Sequence, residues 1–263
     1  MGDLASSANH HAIGQRLAKD EIHVWNLKPE PEADLAEYSR LLGPDERERA
    51  GRFRLPHLTH DYTVDHGRMR LILSGYAGLA PEDIVFSMNK FGKPGLANPE
   101  AADQAGRLRF NLSHTEGHTL LAICLDATIG VDVERVRAMN DWPAIAQSHF
   151  SPLEIAALYD TIDSDRQDAF YRCWTRKEAF LKAHGLGLSI PLDSFAVSLT
   201  PEEFPALLSC AWDHEEIGRW SFFALNPGPD FVGALAIQKG DWQLCSFSWE
   251  MYSSGERQKQ HFK

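Results

Sequence analysis

Apolar positions along the chain switch between a period of two and a period near three and a half, so strands and helices are both expected. Residues 22–27 alternate and predict a first strand. Pro44-Asp45-Glu46 opens a charged helix reaching residue 53, and a second helix spans 58–76. A strand at 84–88 leads into the turn Phe91-Gly92-Lys93-Pro94-Gly95, then into an Ala/Asp/Gly/Pro loop over 97–107. Strands are expected at 108–112, 119–125 and 128–133. Further on, 141–149 reads as helical. Ser151-Pro152-Leu153-Glu154 then has the cap residue, first-turn proline and reciprocal glutamate of a helix start. A long helix over 166–184 stops at Gly185, and short strands fit 194–199, 220–225, 231–237 and 242–249. There is no short-period repeat. Each half offers helices and short strands, which predicts an α+β fold of two subdomains, 1–128 and 129–263. The small, polar first twenty residues are expected to be disordered.

The stretch Ile129-Gly130-Val131-Asp132-Val133-Glu134 alternates apolar and acidic residues, so Asp132 and Glu134 share one face of a strand. Like charges side by side cost stability unless water or a cation relieves them, and oxygen ligands suit a hard ion such as magnesium. Both readings, a solvated edge strand and a metal site, are open on these six residues.

In the helix at 166–184, steps of four from Phe170 give Trp174, Glu178 and Lys182 on one face, with Leu181 beside them. A solvated Glu-Lys pair belongs opposite the aromatics, whereas this pair continues their stripe. Glu178 is therefore a candidate third oxygen ligand, with Lys182 beside a metal-bound polyphosphate. Ser113 and His114 follow a strand in Asn111-Leu112-Ser113-His114-Thr115 and offer a hydroxyl and an imidazole to a phosphate. No Gly-x-Ser-x-Gly elbow is present, so Ser113 is not read as a hydrolase nucleophile. Lys93 sits in a turn stiffened by Pro94 and reads by itself as an exposed loop cation. Arg49 reads as helix-surface charge, Glu154 as the reciprocal member of the Ser151 cap, and His57 and His60 as surface histidines.

Composition narrows the function classes. The 37 acidic against 26 basic residues give a formal net charge of −11, which disfavours nucleic acid or an anionic membrane as main partner. No apolar run approaches the roughly 20 residues of a membrane span. The N-terminus lacks the apolar core of a signal peptide, so a cytoplasmic protein is expected. Met1-Gly2 alone does not make a myristoylation signal. Cys124, Cys173, Cys210 and Cys245 are widely spaced and read as buried thiols, neither disulfide frame nor zinc site.

Four segments in this order resemble the phosphopantetheinyl transferases of the larger, Sfp-like type. They are Phe91-Gly92-Lys93-Pro94, Phe110 to His114, Ile129 to Glu134, and Trp174 to Lys182 with Gly185-x-Gly187-Leu188; the similarity extends over about residues 22–247. The resemblance implies two similar α+β halves related by a pseudo-twofold axis, each with a small, mostly antiparallel sheet, and an active site in the cleft between them. It implies transfer of the 4′-phosphopantetheine of coenzyme A to a serine of an acyl or peptidyl carrier protein, with magnesium as cofactor and adenosine 3′,5′-bisphosphate as product. Asp132, Glu134 and Glu178 match the metal-binding acids, and Lys182 the lysine at the pyrophosphate. Ser113 and His114 match the 3′-phosphate pair, and Arg49, Lys93 and Pro94 the coenzyme A contacts. Glu154 matches an acid proposed as base, beside Glu178. Glu46 stands where some relatives carry a lysine, a loss that Arg52 or Arg70 could make good. A monomer is the simplest expectation. The alternatives are another magnesium-dependent phosphoanhydride-cleaving enzyme and an inactive carrier-binding relative.

Overall fold

The computed structural model describes residues 16–98, 105–250 and 260–261. Backbone contacts divide the chain into two compact units. One contains Glu30–Phe86 and Leu96–Arg107, the other Leu17–Pro29, Ser87–Gly95 and Leu108–Lys263. This grouping cuts across the sequence halves 1–128 and 129–263, because strands from the two ends of the chain pair side by side in the second unit.

The first unit holds helices α1 (Leu35–Leu41), α2 (Pro44–Gly51) and α3 (Pro56–Ala77). Helix α1, absent from the sequence expectation, is held at its start by Asp34, whose side chain accepts the Ala36 N–H at 2.9 Å. Glu46 ties α2 to α3. One carboxylate oxygen accepts the Gly43 N–H (2.8 Å) and Arg70 Nε (2.6 Å), and the other meets His66 Nδ1 at 2.9 Å. Burial opposes ionisation of Glu46, but the His66, Gly43 and Arg70 contacts outweigh it and hold its pKa below the usual value. Arg70 also donates to the Pro81 and Ile84 carbonyls at 2.8 and 3.0 Å. This corrects the expectation for Arg70: it is a buried structural cation that offsets Glu46. Arg52 pairs with Glu48 on the exposed face of α2.

The second unit is built on two main sheets. The short strands β2 (Phe86–Met88) and β3 (Pro94–Leu96) flank the turn at 89–93 in sequence. One main sheet contains β1 (Glu21–Leu27), β4 (Leu108–Thr115), β5 (His118–Leu125), β11 (Gln243–Ser248) and β12 (Gln260–His261), in the order β12-β11-β1-β5-β4. The other has the order β6-β10-β9, from β6 (Ile129–Arg135), β9 (Trp220–Leu225) and β10 (Phe231–Gln238). The fold is α+β with mostly antiparallel sheets, the β1–β11 pair being parallel. Ile22, Val24, Leu120 and Ala122 of the first sheet pack with Val131 and Leu235 of the second.

Helices α4 (Trp142–His149), α5 (Pro152–Asp160), α6 (Arg166–His184) and the short α7 (Glu216–Arg219) complete the unit with strands β7 (Phe195–Val197) and β8 (Leu207–Cys210). Phe170, Cys173 and Phe180 of α6 share a core with Phe150, Leu158 and Phe195. The Ser151–Glu154 capping box forms as expected. Among the described residues no helix is long and apolar enough to cross a membrane.

One glycine lets α6 lie directly on β6. A methyl group on Gly130 would stand 2.2 Å from both Ala179 O and Ala183 N, atoms of the helix backbone that cannot rotate aside. Gly130→Ala is therefore expected to cost about 1–3 kcal/mol by urea denaturation, the range for overpacking. An unchanged urea midpoint would contradict this close contact.

Candidate active site

Helix α6 ends at Gly185, whose φ of 73° suits glycine, and the Gly185 N–H returns to Leu181 O at 2.9 Å. The turn at 89–93 is fastened onto this end. Asn89 accepts the N–H groups of Phe91 and Lys93, both at 2.9 Å, and donates to Gly185 O at 2.8 Å. Lys93 Nζ donates to Ile129 O at 2.8 Å and Ala183 O at 3.2 Å. Burial lowers the Lys93 pKa to about 8. Lys93 is thus no exposed loop cation: its ammonium holds carbonyls at the start of β6 and the end of α6.

Strand β6 and helix α6 together form an acid–lysine cluster. Lys182 Nζ lies 2.6 Å from Asp132 Oδ1 and 2.9 Å from Ser113 Oγ, and the Ser113 hydroxyl donates to Asp132 Oδ1 at 2.9 Å. Glu134 accepts from Thr115 Oγ1 at 3.4 Å. Asp132 is 4% exposed, and desolvation lifts its pKa despite Lys182. Burial and then the Asp132 charge also raise the pKa values of Glu134 and Glu178. Three carboxyl groups that disfavour one another's ionisation form an environment a cation would relieve. Asp132 Oδ2 adds a direct sign: it is buried, with no hydrogen-bond partner among the described residues. This oxygen-only donor set fits a hard divalent ion. The three acids are spaced more widely than Glu21, His23 and Cys245, a trio on β1 and β11 whose donor atoms lie within 4.8 Å of one another.

Two cavities border the cluster. One of about 250 Å³ is lined by Lys93, Pro94, Asn111, Glu178, Lys182 and Gly187 among others. The second, about 360 Å³, has Thr115, Glu134, Met139, Ile145, Phe170 and Trp174 in its wall. The Phe170-Trp174-Glu178-Lys182 stripe thus runs from the second cavity, which Glu116, Arg135 and Arg137 also line, to the first.

The other expected residues are distributed differently. His114 is exposed at the end of β4, whereas Ser113 is buried in the cluster. Arg49 belongs to the other compact unit, where its guanidinium stands 5.5 Å from the Tyr62 ring centre. Glu154 is 1% exposed and saturated. Its oxygens accept the Ser151 N–H (2.8 Å) and hydroxyl (2.9 Å), the Val197 N–H (2.8 Å) and Lys177 Nζ (2.7 Å to each). Sequence reading passed over Lys177, although its position between Cys173 and Phe180 on the buried face signalled burial. It also passed over Asn111 and Thr115, visible as polar residues at alternate positions around Ser113.

Residues 128–236 match the family model described as the 4′-phosphopantetheinyl transferase superfamily. Over 228 residues, 86% of this chain and 92% of the relative, the chain is 36% identical to the 4′-phosphopantetheinyl transferase HetI of Nostoc sp.. The chain belongs to the 4′-phosphopantetheinyl transferase superfamily. Like that relative, it is a phosphopantetheinyl transferase. The 4′-phosphopantetheinyl transferase Sfp of Bacillus subtilis is 31% identical over 176 residues, covering 67% of this chain and 75% of that protein. Among solved structures, the holo-[acyl-carrier-protein] synthase of Thermotoga maritima is similar over 43% of this chain and 62% of its own, with a TM-score of 0.35 and 21% identity.

Proposed function

We propose that this transferase moves the 4′-phosphopantetheine of coenzyme A onto a serine hydroxyl of an apo carrier protein, with magnesium, releasing adenosine 3′,5′-bisphosphate. The observation that carries the reading is the buried Asp132, with one oxygen on Lys182 and Ser113 and the other unpartnered, between two further acids. Asp132, Glu134 and Glu178 would hold the ion. Magnesium, when bound, supplies positive charge where the pyrophosphate oxygens gain negative charge.

The chain's own residues do the remaining work. Lys182 exchanges its contact with Asp132 for a phosphate oxygen and donates a hydrogen bond, then a proton, to the departing bisphosphate. Glu178 is the better-placed proton acceptor for the serine, because it lines the same cavity as Lys182. Glu154 does not serve as the base, because its oxygens are occupied away from solvent. With Ser113 committed to Asp132 and Lys182, exposed His114 takes the 3′-phosphate contact. Met139, Ile145, Phe170 and Trp174, on the apolar side of the second cavity, suit the pantetheine arm, while Pro94 and Lys182 in the first suit its phosphorylated end.

Incubating the purified chain with magnesium, coenzyme A and a panel of apo carriers from fatty-acid, polyketide and peptide synthesis is expected to add one phosphopantetheine mass to at least one carrier. No gain on any carrier would overturn the reading.

A further inference from the structure

The acid cluster lies where two sheets meet edge to edge. Strand β4 is the last strand of one sheet and β6 the first of the other; β4 pairs with β5 and β6 with β10. No main-chain ladder joins β4 to β6 among the described residues. Side chains bridge them instead. Asn111, Ser113 and Thr115 occupy alternate positions of β4 and so share a face. Asn111 Oδ1 accepts the Val131 N–H at 2.8 Å, Ser113 Oγ donates to Asp132 Oδ1 at 2.9 Å, and Thr115 Oγ1 donates to Glu134 Oε2 at 3.4 Å.

The geometry points to Asn111 and Thr115 as positioning residues that fix the register of the β6 acids and so set the enzyme's affinity for its divalent cation. This rests on the assignment of Asp132 and Glu134 as cation ligands. A backbone ladder would fix the spacing of main chains and leave the carboxylates free to rotate. These side-chain rungs act at the carboxylates themselves, or at the Gly130–Val131 peptide of the same strand. Asn111 is 6% exposed, so the Val131 N–H bonds to a buried acceptor with no solvent substitute. Partners of this kind orient ligand oxygens, and their loss typically costs 10–100-fold in metal affinity.

Thr115→Val keeps the side-chain shape and removes the hydroxyl, whereas Thr115→Ser restores it. Manganese binding to the purified chain, read from the free-ion paramagnetic resonance signal, is expected to weaken about tenfold in Thr115→Val. The magnesium concentration for half-maximal transfer should rise by the same factor, with the melting temperature unchanged. Thr115→Ser is expected to recover wild-type binding. Asn111→Leu, which leaves the Val131 N–H unsatisfied, is expected to lower both cation affinity and melting temperature; the Thr115 pair decides the matter if that variant does not fold. Wild-type manganese binding by Thr115→Val overturns the positioning role and leaves the transferase reading standing. A wild-type chain that transfers without binding any divalent cation overturns both the positioning role and the metal assignment beneath it.

Discussion

Asp132→Asn is expected to lower transfer about a hundredfold to a thousandfold, the scale seen when a central electrostatic group is removed from an active site, while the chain still folds. The amide keeps the shape and an acceptor for Ser113 but removes the charge at the centre of the three acids. Two effects oppose each other in stability. Lys182 loses a partner at 2.6 Å, yet its side chain is 29% exposed and can turn to water at little cost. Against that, burial of the Asp132 carboxylate is unfavourable, as its raised pKa shows, and a neutral amide removes the penalty. The melting temperature should therefore change little. Magnesium should raise it in the wild type and not in the variant, as binding to the folded state alone requires. Near-normal turnover in Asp132→Asn would show that the metal is held elsewhere.

Glu154→Gln is expected to destabilise the protein by about 3–5 kcal/mol, the cost of leaving a buried charge without its counter-ion. The Lys177 side chain is 0% exposed and its ammonium donates to both Glu154 oxygens and to Phe195 O, each at 2.7 Å. In the glutamine variant an NH₂ group faces that ammonium, and the Ser151 and Val197 N–H groups compete for one oxygen. Urea denaturation measures the loss directly. The same variant separates two roles for Glu154. A catalytic base predicts a fall in kcat with the urea midpoint almost unchanged, whereas a core ion pair predicts the reverse at temperatures where the variant is folded. Glu154→Leu with Lys177→Met should recover part of the loss, because a well-packed apolar pair can replace a buried ion pair.

The acid cluster was legible because its parts obey simple periods. Asp132 and Glu134 lie two apart on a strand, and Glu178 and Lys182 four apart on a helix, so short-range geometry already places each pair on one face. The strand at 22–27 was recovered for the same reason and those at 119–125 and 220–225 as short apolar runs, while β8 escaped because Pro201 and Pro205 mask it as loop. Lys93 and Ser113 show what periodicity cannot carry. The sequence offers a lysine in a Gly-Pro turn and a serine at a strand end, but their partners are Ile129, Ala183, Asp132 and Lys182, between 19 and 90 positions away. The interleaving of the compact units was hidden for a related reason: nothing local in residues 21–27 announces a partner at 243–248.

That pairing has a consequence for how the protein comes to be. Strand β1 is flanked by β5 on one side and β11 on the other, so its second edge stays open until a segment some 220 residues later arrives. Closing so long a loop carries an entropic cost met before any contact repays it, which places this parallel pairing late and makes it slow. During synthesis the acid cluster's sequence, complete by Lys182, is available well before the sheet that carries Ser113 can be finished. A nascent chain therefore exposes an unpaired, largely apolar strand edge from the completion of β5 until β11 is made, the interval in which a chaperone has most to cover.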